Sequence, residues 1–281
     1  VTKARKKGRS TMGTERRDQD VSTVDVVEET VSAGASESST ALGESGFGWR
    51  RLQGLGAASV PLVFAYIMIS EGFFEPFFLI MGGPFLVGLG LLAMRNRVGV
   101  VWLGVVSVAF LAMNGPFALG AWRVPASSSD FITVTLAFVG ALIVAIATIP
   151  AWRQGKGRDQ MRAGARRLGL VTLVLIVALS AMSLMISATF TSPVAQPGDA
   201  TVVAENFEFE PASISADPGE ISIHATNNDS PTHTITIDQL GVDLTVPGGG
   251  KSASVTFDAS PGTYEFYCRP HPEMTGTLTV S

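Results

Sequence analysis

The one cysteine of the 281-residue chain, Cys268, is followed by His271 and Met274 at intervals of three. A thiolate, an imidazole and a thioether in one short loop suit a copper ion that must be stable in two oxidation states. Thiolate binds both Cu(I) and Cu(II) strongly, and thioether favours the reduced ion. One further histidine would complete a trigonal Cys-His-His set with a weak axial methionine. Two histidines remain upstream, His224 and His233. His224 lies mid-run between Ile223 and Ala225, on the parity opposite to the apolar residues, and reads as a solvated histidine on a sheet face. His233 follows the turn-forming run Asn227-Asn228-Asp229-Ser230-Pro231 and opens the next alternating run, which makes it the candidate fourth ligand. A buried free thiol is the plain alternative for Cys268, but it leaves the histidines and the methionine unexplained.

The elements that must hold these residues follow a period of two. Ile221, Ile223 and Ala225 alternate with Ser222, His224 and Thr226; Ile235 and Ile237 alternate with Thr234 and Thr236. Val255 and Phe257, then Tyr264, Phe266 and Cys268, then Leu278 and Val280 continue the pattern. Pro, Gly and Asn clusters at 217–219, 227–231, 247–250 and 260–262 separate the runs, so the segment from 200 to 281 is expected to be an all-β Greek-key sandwich. Cys268 shares the parity of Tyr264 and Phe266, so its sulfur is expected to point into the end of the sandwich. Pro270 and Pro272 restrict the backbone on both sides of His271. The edge of His271, with Pro270, Pro272 and the 247–250 loop, is the expected electron port.

Cys268-x2-His271-x2-Met274 with the upstream Asn-Asn-Asp…His233 resembles the cupredoxins, the type 1 blue copper family, in its amicyanin/plastocyanin-like form. Phe207-Glu208-Phe209-Glu210-Pro211 and Pro261-Gly262-Thr263-Tyr264 are similar to the family's first strand and to its approach to the cysteine. The resemblance covers roughly residues 200–281. It implies one copper held by His233, Cys268, His271 and Met274. Thr234 stands where many relatives carry Asn, and its hydroxyl is the candidate tie between the two ligand segments. Thr234, Asn227 and Asn228 are candidates for the bonds that orient the histidines.

The rest of the chain is of another kind. Hydrophobic residues make up 46% and concentrate in the middle of the chain. Five apolar stretches, 52–70, 76–94, 98–119, 131–150 and 168–190, approach the ~20 residues that a helix needs to cross a hydrocarbon core. They are expected to form five transmembrane helices. Arg50 and Arg51, Arg95 and Arg97, and the basic run from Arg153 to Arg167 lie on alternate ends of these stretches. The positive-inside rule then puts the N-terminus in the cytoplasm, and an odd number of spans puts the copper domain outside. The expected boundaries are a disordered cytoplasmic tail over 1–51, a helical membrane region over 52–190, a linker over 191–199 and the copper domain over 200–281. The tail opens on Lys3, Arg5, Lys6, Lys7 and Arg9 with no apolar run before Leu52, so it does not read as a signal peptide. Asn114-Gly115-Pro116 is expected to break or kink the third helix, and Gly82-Gly83 and Gly88-x-Gly90 to allow close helix packing.

These readings exclude several functions. Residues 197–281 carry a net charge of −10, which speaks against nucleic acid and for a polar or cationic protein partner. All three histidines follow the last apolar stretch, so the chain offers none for a membrane haem, and no charged residue falls inside the stretches as drawn. Three histidines cannot also build a second copper centre, so the chain is read as an electron carrier and not an enzyme. The expected function is membrane-anchored one-electron transfer on the outer face, with a cytochrome- or oxidase-type redox protein in or at the membrane as partner. A copper-delivery protein and a copper-containing interaction module of a membrane complex are the alternatives.

Overall fold

The computed structural model describes residues 48–70, 72, 76–153 and 158–281. The expected tail lies outside the described residues as far as 47. Each apolar stretch forms one helix: α1 (Trp49–Ser70), α2 (Pro76–Ala93), α3 (Arg97–Arg123), α4 (Ser128–Arg153) and α5 (Arg158–Thr189). All five are long and apolar enough to cross a membrane. Local chemistry sets their ends. Arg95 adopts a left-handed φ of 57° after α2, and the Asn96 side chain accepts the Val98 N–H at 2.9 Å to cap α3. Asp130 stands in the first turn of α4, where negative charge complements the helix dipole.

The expected break at Asn114-Gly115-Pro116 is absent, because α3 runs through it to Arg123. The Asn114 amide donates to Phe110 O at 3.0 Å inside the same helix. Helix packing does rest on small residues, though only partly on those expected. Gly82 and Gly88 face neighbouring helices, whereas a Cβ on Gly83 or Gly90 would meet open space. The tightest crossing joins α1 to α4. A Cβ on Gly56 would lie 2.7 Å from Gly140 O, and one on Gly140 would lie 2.8 Å from Gly56 O, so the two backbones touch only because both residues are glycine.

Past Thr189 the pattern switches to strands: β1 (Ala200–Glu205), β2 (Glu208–Glu210), β3 (Ser213–Ala216), β4 (Gly219–Asn227), β5 (His233–Ile237), β6 (Val242–Val246), β7 (Lys251–Ala259), β8 (Gly262–Tyr267) and β9 (Thr275–Val280). They form two sheets, ordered β2-β1-β4-β7 and β3-β9-β8-β5-β6. β1 runs parallel to β4 and β3 parallel to β9; the other pairs are antiparallel. The inward parity is the expected one, with Ile223, Ile235, Ile237, Phe266 and Leu278 buried between the sheets. Each such side chain contributes about 1.5–3 kcal/mol by leaving water. The architecture of the described residues is therefore an α-helical region of five long apolar helices followed by an all-β sandwich.

Candidate metal centre

Three elements converge at one end of the sandwich. β5 opens on His233, Cys268 follows the last residue of β8, and His271 lies in the connection to β9. Cys268 and His233 are fully buried, and His271 is half-buried. His233 Nδ1 and His271 Nδ1 are 3.0 Å apart, and Cys268 Sγ lies 3.5 Å from the first and 3.6 Å from the second. The point equidistant from these three atoms is about 2.0 Å from each, within the ~2.0–2.3 Å that a first-row ion such as zinc shows to imidazole and thiolate. The donor set fits one small ion of the soft, borderline kind.

The loop from Cys268 to Met274 is closed by its own backbone. Cys268 N–H donates to Met274 O at 3.0 Å, His271 N–H to Cys268 O at 3.2 Å, and Met274 N–H to His271 O at 2.9 Å. This brings Met274 back beside Cys268, where its side chain is buried in the same core. Thr234 joins the two ligand segments twice. Its N–H donates to Cys268 Sγ at 3.4 Å, and its hydroxyl accepts the Arg269 N–H at 2.8 Å.

The residue that orients His233 is Asp229, which stands directly after the expected Asn227 and Asn228. His233 Nε2–H donates to Asp229 Oδ2 at 2.9 Å, which fixes the tautomer and turns the Nδ1 lone pair toward the cluster. The same carboxylate accepts the N–H of Asn206 at 2.7 Å and of Phe207 at 3.0 Å, both at left-handed φ. The β1–β2 tip is thereby tied to His233, and Phe207 lies edge-on against His233 and His271, with centroids 5.6 Å and 5.1 Å away. Among the described residues, neither Asn227 nor Asn228 bonds to a histidine. Asn227 Nδ2 donates to Pro231 O at 2.8 Å and Val246 O at 3.0 Å, bracing the loop before β5 against the end of β6. Asn228 is exposed, and its backbone N–H donates to Ala204 O. A carboxylate four residues before a candidate ligand histidine is the signal the sequence offers. Asp229→Ala is expected to lower copper affinity about 10–100-fold, measured by competition with a chelator.

Two further expectations change. His224 is buried, not solvated, and its Nδ1 lies 3.0 Å from Ser254 Oγ, on the sheet face away from the cluster. The expected port is divided. Pro270 and Pro272 are exposed beside His271, but Pro247 and Gly248 are buried, with Gly248 N–H donating to Ser127 Oγ at 3.1 Å.

Burial sets the titration of the cluster. It pushes the Cys268 thiol up, opposed by backbone N–H groups of Thr234 and His271. It lowers His233, although Asp229 pulls the other way. His271 is held down to about 4, first by burial and then by repulsion from His233. A cation held at the centre would compete with protons for the Nδ1 lone pairs and the thiolate. In the metal-free chain the unfolded state binds protons at the ordinary histidine value near 6.5, before the folded state does. Folded-state stability is therefore expected to be complete above about pH 6.5 and to fall as the pH drops toward about 4, read as a falling urea midpoint of the sandwich.

A two-sheet sandwich with a cysteine and two histidines gathered at one end defines the class of small copper proteins called cupredoxins. The cupredoxin-like domain profile matches residues 173–280, beginning inside α5. The chloroplastic plastocyanin of Physcomitrium patens is 33% identical over 119 residues, 38% of this chain and 67% of that protein. The plastocyanin of Nostoc punctiforme is 30% identical over 130 residues, 40% of this chain and 90% of that protein. The amicyanin structure from Paracoccus versutus is 15% identical, covers 31% of this chain and 85% of its own, and superposes with a TM-score of 0.27. The chain belongs to the cupredoxin family through its C-terminal sandwich, and its cofactor is one copper ion.

Proposed function

We propose that this chain is a membrane-anchored blue copper protein that transfers single electrons on the outer face of the membrane. His233, Cys268 and His271 are the equatorial ligands and Met274 the axial one. The observation that carries this reading is the Nδ1–Nδ1–Sγ triangle, sized for one copper and enclosed by buried side chains. Copper bound there supplies a one-electron couple. The chain's own groups hold that ion in one geometry, keep bulk water from the thiolate side and leave the edge of His271 between Pro270 and Pro272 for electron exchange. The three backbone bonds within 268–274 limit rearrangement between oxidation states, which suits a carrier better than a site that must release its metal.

The five apolar helices support a membrane region over 52–190, a linker over 191–199 and a copper domain over 200–281. Arginines at alternate helix ends support a cytoplasmic tail over 1–51 and an outward copper domain. The partner in this reading is a membrane-associated redox protein, and its binding surface includes the exposed acidic side chains of the sandwich. The full chain in detergent, loaded with Cu(II), is expected to show an intense blue band and narrow copper hyperfine splitting that survive repeated reduction and reoxidation. His224→Ala is expected to retain both. Loss of copper on cycling would favour copper delivery instead, and loss of colour in the His224 variant alone would overturn the ligand assignment. Protease treatment of sealed vesicles tests orientation, because cleavage of the tail and of the sandwich must occur from opposite sides.

A further inference from the structure

The ligand end of the sandwich is held from outside as well as from within. Thr232 N–H donates to Asp130 Oδ2 at 2.7 Å, and Gly248 N–H donates to Ser127 Oγ at 3.1 Å. Asp130 is in the first turn of α4 and Ser127 immediately precedes that helix. The donors come from the two loops that flank β5 and β6, and the Asn227 amide joins those loops. The acceptor side is itself fixed, since Ser127 N–H donates to Val124 O at 3.0 Å and Ser183 Oγ–H of α5 donates to Pro125 O at 2.8 Å. A third bond, from Ser252 N–H to Ser192 Oγ at 3.0 Å, ties β7 to the segment after α5. Thr232 directly precedes His233, so the ligand loop is gripped by Asp229 on one side and by Asp130 on the other.

We propose that Asp130 is a positioning residue for His233, through which the helical region tunes the copper site in addition to tethering it. The Asp130 carboxylate takes the Thr232 N–H, fixes the approach of β5 and sets an acidic group on the backbone of the residue before His233. A negative charge there favours Cu(II) over Cu(I), because the oxidised ion carries the larger positive charge. This inference rests on the reading of His233 as a copper ligand.

The test uses the full chain in detergent, loaded with copper, as wild type, Asp130→Ala and Asp130→Asn. Two quantities are measured: the Cu(II)/Cu(I) midpoint potential and amide hydrogen exchange of the peptide containing Thr232. Asp130→Ala is expected to speed exchange at Thr232 at least tenfold and to move the copper balance toward Cu(I) by about tenfold, ~59 mV for a one-electron couple. Asp130→Asn keeps an oxygen acceptor without the charge, so it should retain most exchange protection while still shifting the potential. Wild-type potential in both variants overturns the proposal, even if exchange rises, because a purely structural contact would loosen the loop without moving the couple. If Asp130→Ala does not fold, the potential of Asp130→Asn decides alone. A wild-type chain that shows no blue band refutes the ligand reading instead, and exchange at Thr232 then still reports whether Asp130 holds the loop.

Discussion

Replacing Cys268 with Ser is expected to abolish the blue band and to widen the copper hyperfine splitting to that of an ordinary Cu(II) site. The colour and the narrow splitting both come from covalency between copper and a thiolate sulfur, which a serine oxygen cannot supply. The chain has no second cysteine to take over. The substitution is nearly isosteric at a fully buried position, so the sandwich should fold, and the backbone bond from Cys268 N–H to Met274 O does not involve the side chain. The lost Sγ acceptor leaves Thr234 N–H facing a shorter hydroxyl, at a cost of about 1 kcal/mol. Any Cu(II) that remains bound should be pale, and Cu(I) should be held far less well because its softest ligand is gone. The visible and EPR spectra of the loaded variant read the result; a retained blue band would mean that the cluster is not the copper site.

The second large effect is expected at Gly248. A Cβ there would run into the carbonyl of Ser230 and lie 2.9 Å from Asp229 O, so the 247–250 loop crosses the 229–231 loop at a distance only glycine permits. The two loops are also bonded at this crossing, by Gly249 N–H to Asp229 O and Gly250 N–H to Asn227 O, each at 2.7 Å. Gly248→Ala must push Asp229 and Ser230 away, which moves the carboxylate that orients His233. It must also disturb the bond from Gly248 N–H to Ser127. Overpacking of this kind costs about 1–3 kcal/mol, and the blue site should become heterogeneous as the imidazole loses its fixed orientation. A denaturant titration and the EPR line width check both. An unchanged spectrum would show that Asp229 does not govern the geometry of the cluster.

The parts of this fold that were legible in the sequence are those written in periodicity and spacing. Ile223, Ile235, Phe266 and Leu278 announced the sandwich by alternation, and the five apolar runs announced the helices by length. Cys268 and His271 come together because only three positions separate them, and His233 joins them because a strand opens on it. What escaped the sequence depends on contacts between distant segments. His224 has the parity of an outward residue and is outward-facing on its sheet, yet it is buried; parity cannot report what covers a face. Asp229 looked like one more turn residue until the β1–β2 tip was brought against it. Asp130 fell just outside a hydropathy boundary, and its partner is 102 residues away. Asn114-Gly115-Pro116 allowed a break or a kink, and of these the break does not occur, because α3 continues past the proline to Arg123.

The ring of backbone bonds from Cys268 to Met274 also bears on how this chain can vary. Most surface connections absorb an extra residue at little cost, since their ends are already near each other and nothing inside them must close. This one is a clasp: the residue that opens it returns to the residue that shuts it, and His271 is bonded to both. An insertion or deletion between them must break or remake at least one of these bonds. Chemical change in this stretch is confined to side chains that leave the clasp intact, with Arg269, Pro270, Pro272 and Glu273 the exposed positions where it can occur.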